Sequence, residues 1–519
     1  MPTMLLPENF ITAPIESFIA KEPWSLSVEN IVELAQQLND YVDATTSEAL
    51  LDSNTLYWIS VGLHNAVKQA SPTAIEQIGN VMYKLATRDP TALLLMLRKP
   101  NEFGYFKGQN TLFVWLGELY TATFNAKNTM AIITLNLVLS HLLEHPTVNL
   151  AQSLVKNNEI GVERGKNGLL LLTQAILRSA SFPHNQSETL LITHLLEKCL
   201  SIYPDITTPV LTQEINQGSF KDKTIVYMLV RALQDPAKDN QAVVNIICNI
   251  LIDIIKSHKK EDLVKSLFNI IGVGPHKESH PLYIMLRGLL SAAYVDKNDQ
   301  VISNITSVLD QLYHAAPEEM NNALAITITQ DYEGTKNGIT MLVETLMAAF
   351  SHDIETVAID ALLSTLINSD SEIIARAFTQ QMIQSGETHK SSSPLELLVN
   401  KLNVDANIHD IERLMSIITE LTASKYAVPM ILSLPLSARA IFIDEFSKAH
   451  HPKEEMLKWL SETERDGFDP LAVFDESAVK VGILPTDETS LSANKAVFFQ
   501  PTTEVVPVLS MKKTTPQCD

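Results

Sequence analysis

The 519-residue chain has only three cysteines, Cys199, Cys248 and Cys518, which are odd in number and far apart. Such a set builds neither a disulfide framework nor a cysteine-rich zinc site. Cys199 and Cys248 fall within apolar stretches, so we interpret them as small core residues rather than reactive thiols. The sequence accordingly predicts no metal site and no cofactor.

Positive charge is also scarce, because 39 lysines and arginines stand against 60 acidic residues and give a formal net charge of −21. A chain this acidic repels the phosphates of nucleic acids and the anionic face of membranes, so we expect no nucleic-acid partner. No basic residue precedes Lys21, so the basic block of a cleavable secretory signal is missing. The longest apolar runs, 130–143 and 242–255, are broken by polar residues, which predicts a cytoplasmic protein without a membrane span.

Glycine is scarce as well, at 17 residues, whereas hydrophobic residues make up 45% of the chain. This apolar content is large enough to build a core, and the shortage of glycine suits helices better than sheets and turns. We therefore expect a folded protein that is mostly helical, with no β-sheet in residues 50 to 430.

A helix-start pattern recurs seven times, as in QNTLFVWLGEL, KNGLLLLTQAI and SHPLYIMLRGL. Each copy begins with a polar residue, and these predicted caps lie 56 or 57 residues apart: Asn54, Asn110, Asn167, Thr224, His280, Asn337 and Ser393. Six of them are Asn, Ser or Thr, whose side-chain oxygen accepts from free N–H groups of a first helical turn. Positions two, five and nine after each cap are apolar throughout, which predicts the buried stripe of a helix.

The remainder of each unit divides into two further helical stretches, in several units at a proline such as Pro146, Pro204 or Pro317. No single three-helix unit can bury its apolar faces alone, so neighbouring units must stack. The predicted fold class is therefore all-α, a right-handed α-solenoid of about seven three-helix repeats of 56–57 residues.

The ends of the chain differ from its middle. Residues 1–50 contain prolines and then an amphipathic stretch, which suits an N-terminal helical cap, and residues 51–434 form the predicted solenoid. Residues 435–465 are expected to be C-terminal capping helices, and His450–Glu462 within them faintly echoes an eighth repeat start. Residues 466–519 lose helical periodicity, which is typical of an extended or mobile tail.

Two kinds of motif are better explained without chemistry. The stretch GVERGKN lacks the glycine spacing and the final Ser or Thr of a phosphate-binding loop, and glycines recur six residues before several caps. The HLLE sequences at His141–Glu144 and His194–Glu197 lie in different repeat columns, so we interpret them as helix-surface pairs rather than metal ligands.

A lysine stands one or three residues before six successive caps: Lys107, Lys166, Lys221, Lys277, Lys336 and Lys390. Stacked repeats place these lysines in a row, beside the positive ends of successive helices. We interpret the row as a partner-binding edge for acidic or phosphorylated groups. The simpler alternative is a set of solvated loop lysines between repeats.

The helix starts KNGLLLLTQA and SSPLELLV resemble the opening of ankyrin repeats, although the period is longer than the ankyrin length. The three-helix units are more similar to an armadillo or HEAT-type array with enlarged repeats. In composition, with its Pro- and Thr-rich C-terminal tail, the chain resembles type IV secretion effectors of intracellular bacteria such as Legionella. That resemblance implies secretion into a host cell without a cleavable N-terminal signal.

Two functions follow from this organisation. The first is a non-enzymatic scaffold that binds a protein or peptide partner, with the resemblance implying an effector that acts on host proteins. The alternative is an effector enzyme whose small catalytic region lies in Ala438–Asp519, with the solenoid as its targeting arm. No nucleophile and base stand at motif spacing in that region, so we expect no enzymatic activity.

Overall fold

The structure is a computed structural model that describes most of residues 26–449. Left out of that range are 45–52, 103, 105, 146–149, 159–163, 183–184, 217–219, 235–239, 258–259, 272–278, 331–333, 353, 356, 370, 384–390 and 403–407. The chain divides into two compact units, Met1–Leu471 and Ala472–Asp519, and all described residues belong to the first. The predicted tail, 466–519, and the echo at His450–Glu462 lie outside the described residues.

The fold is all-α. The helix that follows each predicted cap, called here a first helix, is α2 Ser53–Lys68, α5 Thr111–Ala122, α8 Gly168–Ala180, α11 Ile225–Gln234, α14 Pro281–Ser291, α17 Gly338–Ser351 and α20 Pro394–Leu402. The second helices are α3 Pro72–Arg88, α6 Thr129–Glu144, α9 Gln186–Ile202, α12 Gln241–Lys256, α15 Asp299–Ala315, α18 Val357–Ile367 and α21 Ile408–Ala423. The third helices are α4 Pro90–Leu97, α7 Ala151–Leu154, α10 Pro204–Leu211, α13 Lys260–Phe268, α16 Pro317–Ala325, α19 Glu372–Thr379 and α22 Ala427–Leu432.

Two further α-helices flank this set. Helix α1, Val28–Ala44, packs against α2 and α3, and Lys84 Nζ of α3 donates to Asn39 Oδ1 of α1 at 3.1 Å. Helix α23, Leu436–Ala449, packs on α20 as one first helix packs on the next. A 3₁₀ turn, Ala126–Asn128, precedes α6, and a π-helical turn, Ala292–Asp296, follows α14.

The interval from one cap to the next contains one first, one second and one third helix, and the first and second helices pack against their counterparts in the neighbouring intervals. First helices contact first helices in unbroken order from α2 to α20, and second helices do so from α3 to α21. Four pairs of neighbouring third helices also contact each other: α7 with α10, α13 with α16, α16 with α19, and α19 with α22. The period of the sequence is therefore also the period of the packing.

The predicted caps mark helix starts throughout the set. Helix α2 begins next to Asn54, and each of the other six first helices begins at the residue after its cap. In those six, the cap side chain accepts from the backbone N–H three residues further on, for instance Asn110 Oδ1 from Phe113 at 2.9 Å and Asn167 Oδ1 from Leu170 at 2.8 Å. These bonds satisfy donors that a helix start otherwise leaves unpaired.

Three caps hold a second element as well. Asn337 Nδ2 donates to the carbonyl of Ala377 in α19 at 3.0 Å, and His280 Nε2 donates to the carbonyl of Ala323 in α16 at 3.2 Å. Thr224 Oγ1 bonds to the hydroxyl of Ser266 in α13 at 2.8 Å. Each of these caps therefore ties a first helix to the third helix of its own interval.

The apolar columns are buried as predicted. Every residue two, five or nine positions after a cap is at most 6% exposed. The first helices are buried over more of their surface than one stripe requires, because every residue from Gly168 to Ile176 in α8 is buried. Helix α8 lies between α5 and α11 and also contacts α7 and α9, so little of it faces solvent.

The expectation that residues 50 to 430 contain no β-sheet is wrong at two short places. Strand β1, Ile328–Gln330, pairs with β2, Gly334–Lys336, and strand β3, Met382–Ile383, pairs with β4, Ser391–Ser392, both in antiparallel fashion. Both ladders lie in connections between a third helix and the next first helix. Backbone N–H and C=O groups beyond the end of a helix need hydrogen-bond partners outside that helix. In these connections the chain folds back, so the two short strands pair with each other.

Substitutions in the fifth-position column test the register of the first helices. Leu172, Leu229 and Leu342 are at most 1% exposed, so replacing any one by Ala removes apolar contacts and leaves a cavity. We expect each change to lower the free energy of unfolding by about 2 to 5 kcal/mol in urea titrations. A loss below about 1 kcal/mol at all three positions would show that the column is not part of the core.

Acid should destabilise the protein through His280. Burial lowers the pKa of His280 from 6.5 to about 4, against the opposing effect of its bond to Ala323, and Nδ1 must stay unprotonated to accept from Tyr283 N–H at 3.1 Å. Between pH 6.5 and 4 the unfolded chain takes up a proton that the folded chain does not, so stability falls as pH decreases.

The matched variant is His280→Asn, because Asn337 makes the same two bonds in the next interval. Urea unfolding at pH 7 and pH 4 should show that wild type loses more stability than the variant, by on the order of 3 kcal/mol. Equal losses in the two proteins would contradict this assignment.

Candidate partner-binding edge

The connections before the first helices share one backbone arrangement. In four of them the residue nine positions before the cap donates its N–H to the carbonyl one position before the cap: Asn101 to Gln109, Asn158 to Lys166, Ile215 to Lys223 and Ile271 to Ser279, at 2.7 to 2.8 Å. In a fifth, Ile328 pairs with Lys336 at the same two positions. We call these five connections, 101–109, 158–166, 215–223, 271–279 and 328–336, the cap hairpins.

A left-handed residue closes three of the cap hairpins. Gly108, Gly165 and Asp222 have φ values of 82°, 77° and 61°, and each stands two positions before its cap. Their N–H groups donate back to the carbonyls of Asn101, Asn158 and Ile215 at 2.7 to 2.8 Å. The ends of each of these hairpins are thus joined by two reciprocal backbone bonds.

Four of the six predicted lysines are described, and all four lie on cap hairpins. Lys107 and Lys221 are exposed, and Lys166 is partly exposed. Lys336, in β2, donates to Glu344 of α17 at 2.6 Å, and its side chain is only 13% exposed. Lys277 and Lys390 lie outside the described residues. The lysines therefore share a place in the fold, but Lys336 is already paired with a carboxylate.

The first cap hairpin lies on the first helix of the preceding interval. Phe106 is buried and packs edge-on against Tyr57 and His64 of α2, with ring centroids 6.4 and 6.0 Å apart. Gly104, with φ of 70°, has no room for a side chain, because a Cβ would fall on the Tyr57 hydroxyl. The hairpin is held by side-chain packing in addition to its backbone bonds.

The third cap hairpin carries a base that the sequence pattern missed. Lys223 is buried, and its Nζ lies 4.9 Å from the ring centroid of Tyr227 and 5.9 Å from that of Phe220. Burial lowers the pKa of Lys223, and the nearby charge of Arg231 lowers it further. Its position one residue before the cap matches those of Lys166 and Lys336, which is the signal by which it could have been found.

The described residues of the two HLLE sequences form ordinary side-chain contacts, and two cysteines are buried. His194 bonds to Glu197 within α9 at 3.1 Å, and Glu144 accepts from Lys198, which lowers the pKa of Glu144. Cys199 and Cys248 are buried, and burial raises the pKa of each thiol to about 12. In the part of the chain that the structure describes, no three His, Cys, Asp or Glu side chains cluster as metal ligands.

No family model, no curated protein and no solved structure matches the chain. Among the helices described, none is long and apolar enough to cross a membrane.

Substitutions at Gly165 and Asp222 test whether closure of the cap hairpins requires a left-handed backbone conformation. Replacing Gly165 by Ala forces a Cβ into the left-handed region and should lower the free energy of unfolding by about 1 kcal/mol. Asp222→Gly relieves the same kind of strain, so it should leave stability unchanged or raise it by up to about 1 kcal/mol. Urea unfolding that shows both variants losing stability equally would argue against a left-handed requirement.

Proposed function

We propose that this protein is a non-enzymatic scaffold that binds a protein or peptide partner along its cap hairpins. In this proposal the packed intervals are about seven repeats of a right-handed α-solenoid of the armadillo or HEAT type. One observation carries the proposal: four successive connections close with the same backbone bond and a fifth closes by strand pairing of the same two positions, on first helices that pack in the same order. A regular series of loops on a stacked helical frame is how repeat proteins build extended binding surfaces.

Charge supports a partner that is acidic or phosphorylated. The chain carries a net charge of −21, yet Lys107 and Lys221 project from two of the hairpins. Each hairpin leads into the N-terminus of a first helix, where aligned peptide dipoles favour negative charge. We therefore propose that the exposed hairpin lysines attract the partner electrostatically. The hairpin backbone and its other side chains provide a surface that is complementary to the partner in shape.

The effector role within a host cell and the enzymatic alternative are carried by the sequence alone. Residues 450–519, most of the proposed catalytic region, lie outside the described residues. Both ideas stay predictions, whereas the scaffold proposal has a surface on which it can be tested.

Charge reversal on three consecutive hairpins tests the scaffold proposal. The full chain is first used to capture and identify a binding partner from a eukaryotic lysate. We expect a Lys107→Glu, Lys166→Glu, Lys221→Glu variant to bind that partner at least tenfold more weakly, with helicity and melting temperature nearly unchanged, because exposed charges contribute little to folding. Wild-type binding should also weaken as salt rises from about 0.05 to 0.5 M, since salt screens exposed charges.

A matched control changes the net charge equally on exposed positions away from the hairpins. Lys127, Lys256 and Lys265 are exposed and lie before α6, in α12 and in α13. Their triple replacement by Glu should bind the partner within twofold of wild type. If the hairpin variant binds the partner as tightly as wild type does, the hairpin lysines are not part of the interface.

A further inference from the structure

A pocket of about 330 Å³ lies at the third cap hairpin, against first helices of three successive intervals. Tyr120 of α5, Gln174 and Arg178 of α8, Arg231 of α11 and Phe220 of the hairpin line it. Among the residues that the structure describes, no acidic side chain lines this pocket, although acidic residues outnumber basic ones in the chain by 60 to 39. The concentration of positive charge here is opposite to the character of the whole protein.

Arg178 is held in place without an acid to pair with. Its guanidinium lies between the rings of Phe124 and Phe182, 4.3 and 4.7 Å from their centroids. Its Nε is buried and donates to no described atom, and no described carboxylate forms an ion pair with it. A buried donor without an acceptor costs on the order of 1 to 3 kcal/mol, so the group is prepared for a ligand at a cost to stability.

Arg231 adds a second fixed charge to the same pocket. No described carboxylate forms an ion pair with it, and its positive charge acts on two neighbours. At the buried Lys223 it adds to the effect of burial in lowering the pKa, and at the Tyr227 hydroxyl it opposes the rise in pKa that burial causes. Gln174 Oε1, on the pocket wall, is also buried without a donor. The pocket thus gathers uncompensated polar groups on neighbouring helices.

Two comparable places in the described fold instead pair a basic side chain with a carboxylate. At the first cap hairpin, His64 Nδ1 bonds to Glu118 Oε1 at 2.8 Å beneath the buried Phe106. In α17, Glu344 stands seven residues after its cap, as Arg231 does in α11, and it pairs with Lys336. The arrangement at the third hairpin is therefore not a general property of the repeat.

We propose that this pocket binds a phosphate monoester, with Arg178 and Arg231 as its ligands. A phosphate monoester carries a charge of about −1.5 to −2 near pH 7, which two guanidinium groups balance, and its three terminal oxygens accept from several donors at once. A carboxylate would neutralise only one of the arginines. The rings of Phe124 and Phe182 hold the Arg178 guanidinium in place before a ligand binds. This lowers the entropic cost of forming hydrogen bonds to the phosphate.

This inference deepens the proposed scaffold function and rests on it for the source of the phosphate, a phosphorylated side chain of the partner. The pocket itself can be tested without any partner. The probe is phenyl phosphate, titrated into the full chain by isothermal calorimetry, with inorganic phosphate as competitor and benzoate as the carboxylate comparison.

We expect phenyl phosphate to bind with one-to-one stoichiometry and to be displaced by inorganic phosphate. Arg178→Gln and Arg231→Gln should each weaken binding at least tenfold. Arg287→Gln is the matched control, because Arg287 stands at the position of Arg231 in the next first helix and does not line the pocket. That variant should bind phenyl phosphate within twofold of wild type. Melting temperatures show whether each variant is folded, and Arg231→Gln, at a partly exposed residue, tests the pocket even where Arg178→Gln unfolds the chain.

Several results would overturn the proposal. The pocket assignment fails if wild type does not bind phenyl phosphate at millimolar concentration, or if inorganic phosphate does not displace phenyl phosphate. It also fails if the Arg178→Gln and Arg231→Gln variants both bind phenyl phosphate as tightly as wild type. Benzoate that binds as tightly as phenyl phosphate would replace the phosphate assignment with a carboxylate one. The hairpin-lysine variant keeps both arginines, so we expect it to bind phenyl phosphate as wild type does while it loses partner affinity. Undiminished partner affinity with intact phenyl phosphate binding would count against the lysine surface alone, and lost phenyl phosphate binding by the arginine variants with intact partner capture would count against the pocket's role alone.

Discussion

The structure depends on the bond that a cap side chain makes at the start of six of the seven first helices. Where the cap also reaches the third helix, as Asn337 and His280 do, one side chain fixes both the point where a helix begins and the neighbour against which it lies. His280 shows that the geometry matters more than the residue type, because imidazole Nδ1 and Nε2 reproduce the acceptor and donor of an asparagine amide. The spacing of the caps then sets the spacing of everything packed on the first helices.

The helical frame could be predicted because its determinants are local and repeated. A cap signals a helix start through side-chain chemistry, and columns such as Leu172, Leu229 and Leu342 signal burial through apolar character alone. What the pattern underestimated is how deeply the first helices are buried. An amphipathic stripe describes a helix with one covered face, whereas α8 is enclosed by helices of its own and both neighbouring intervals.

The candidate site was harder to foresee for two physical reasons. The cap hairpins close through backbone N–H and carbonyl groups, which every residue carries, so only the glycines at positions such as 108 and 165 hint at them. The arginine pocket combines Arg178 and Arg231 from different positions relative to their caps. A search for repeated columns passes over such a pair, because only the packing of adjacent helices and an overlying hairpin brings them together. Likewise, the pairing of Lys336 with Glu344 depends on a carboxylate that other intervals lack at that position.

Closure of the cap hairpins at their base separates the loop from the frame that carries it. Two reciprocal backbone bonds join the hairpin ends, as between Asn101 and residues Gly108 and Gln109, whatever side chains lie between them. Two of the enclosed sequences, EFGYFKG and NQGSFKD, share a glycine, a phenylalanine and a lysine in register, whereas TQDYEGT closes with none of them at those positions. Loop length adds only slowly to the entropic cost of closure, so insertions at these tips are cheap for the folded state. We therefore expect segments grafted between the two closing bonds to leave the spacing of the helices unchanged, provided that anchoring side chains such as the buried Phe106 are kept.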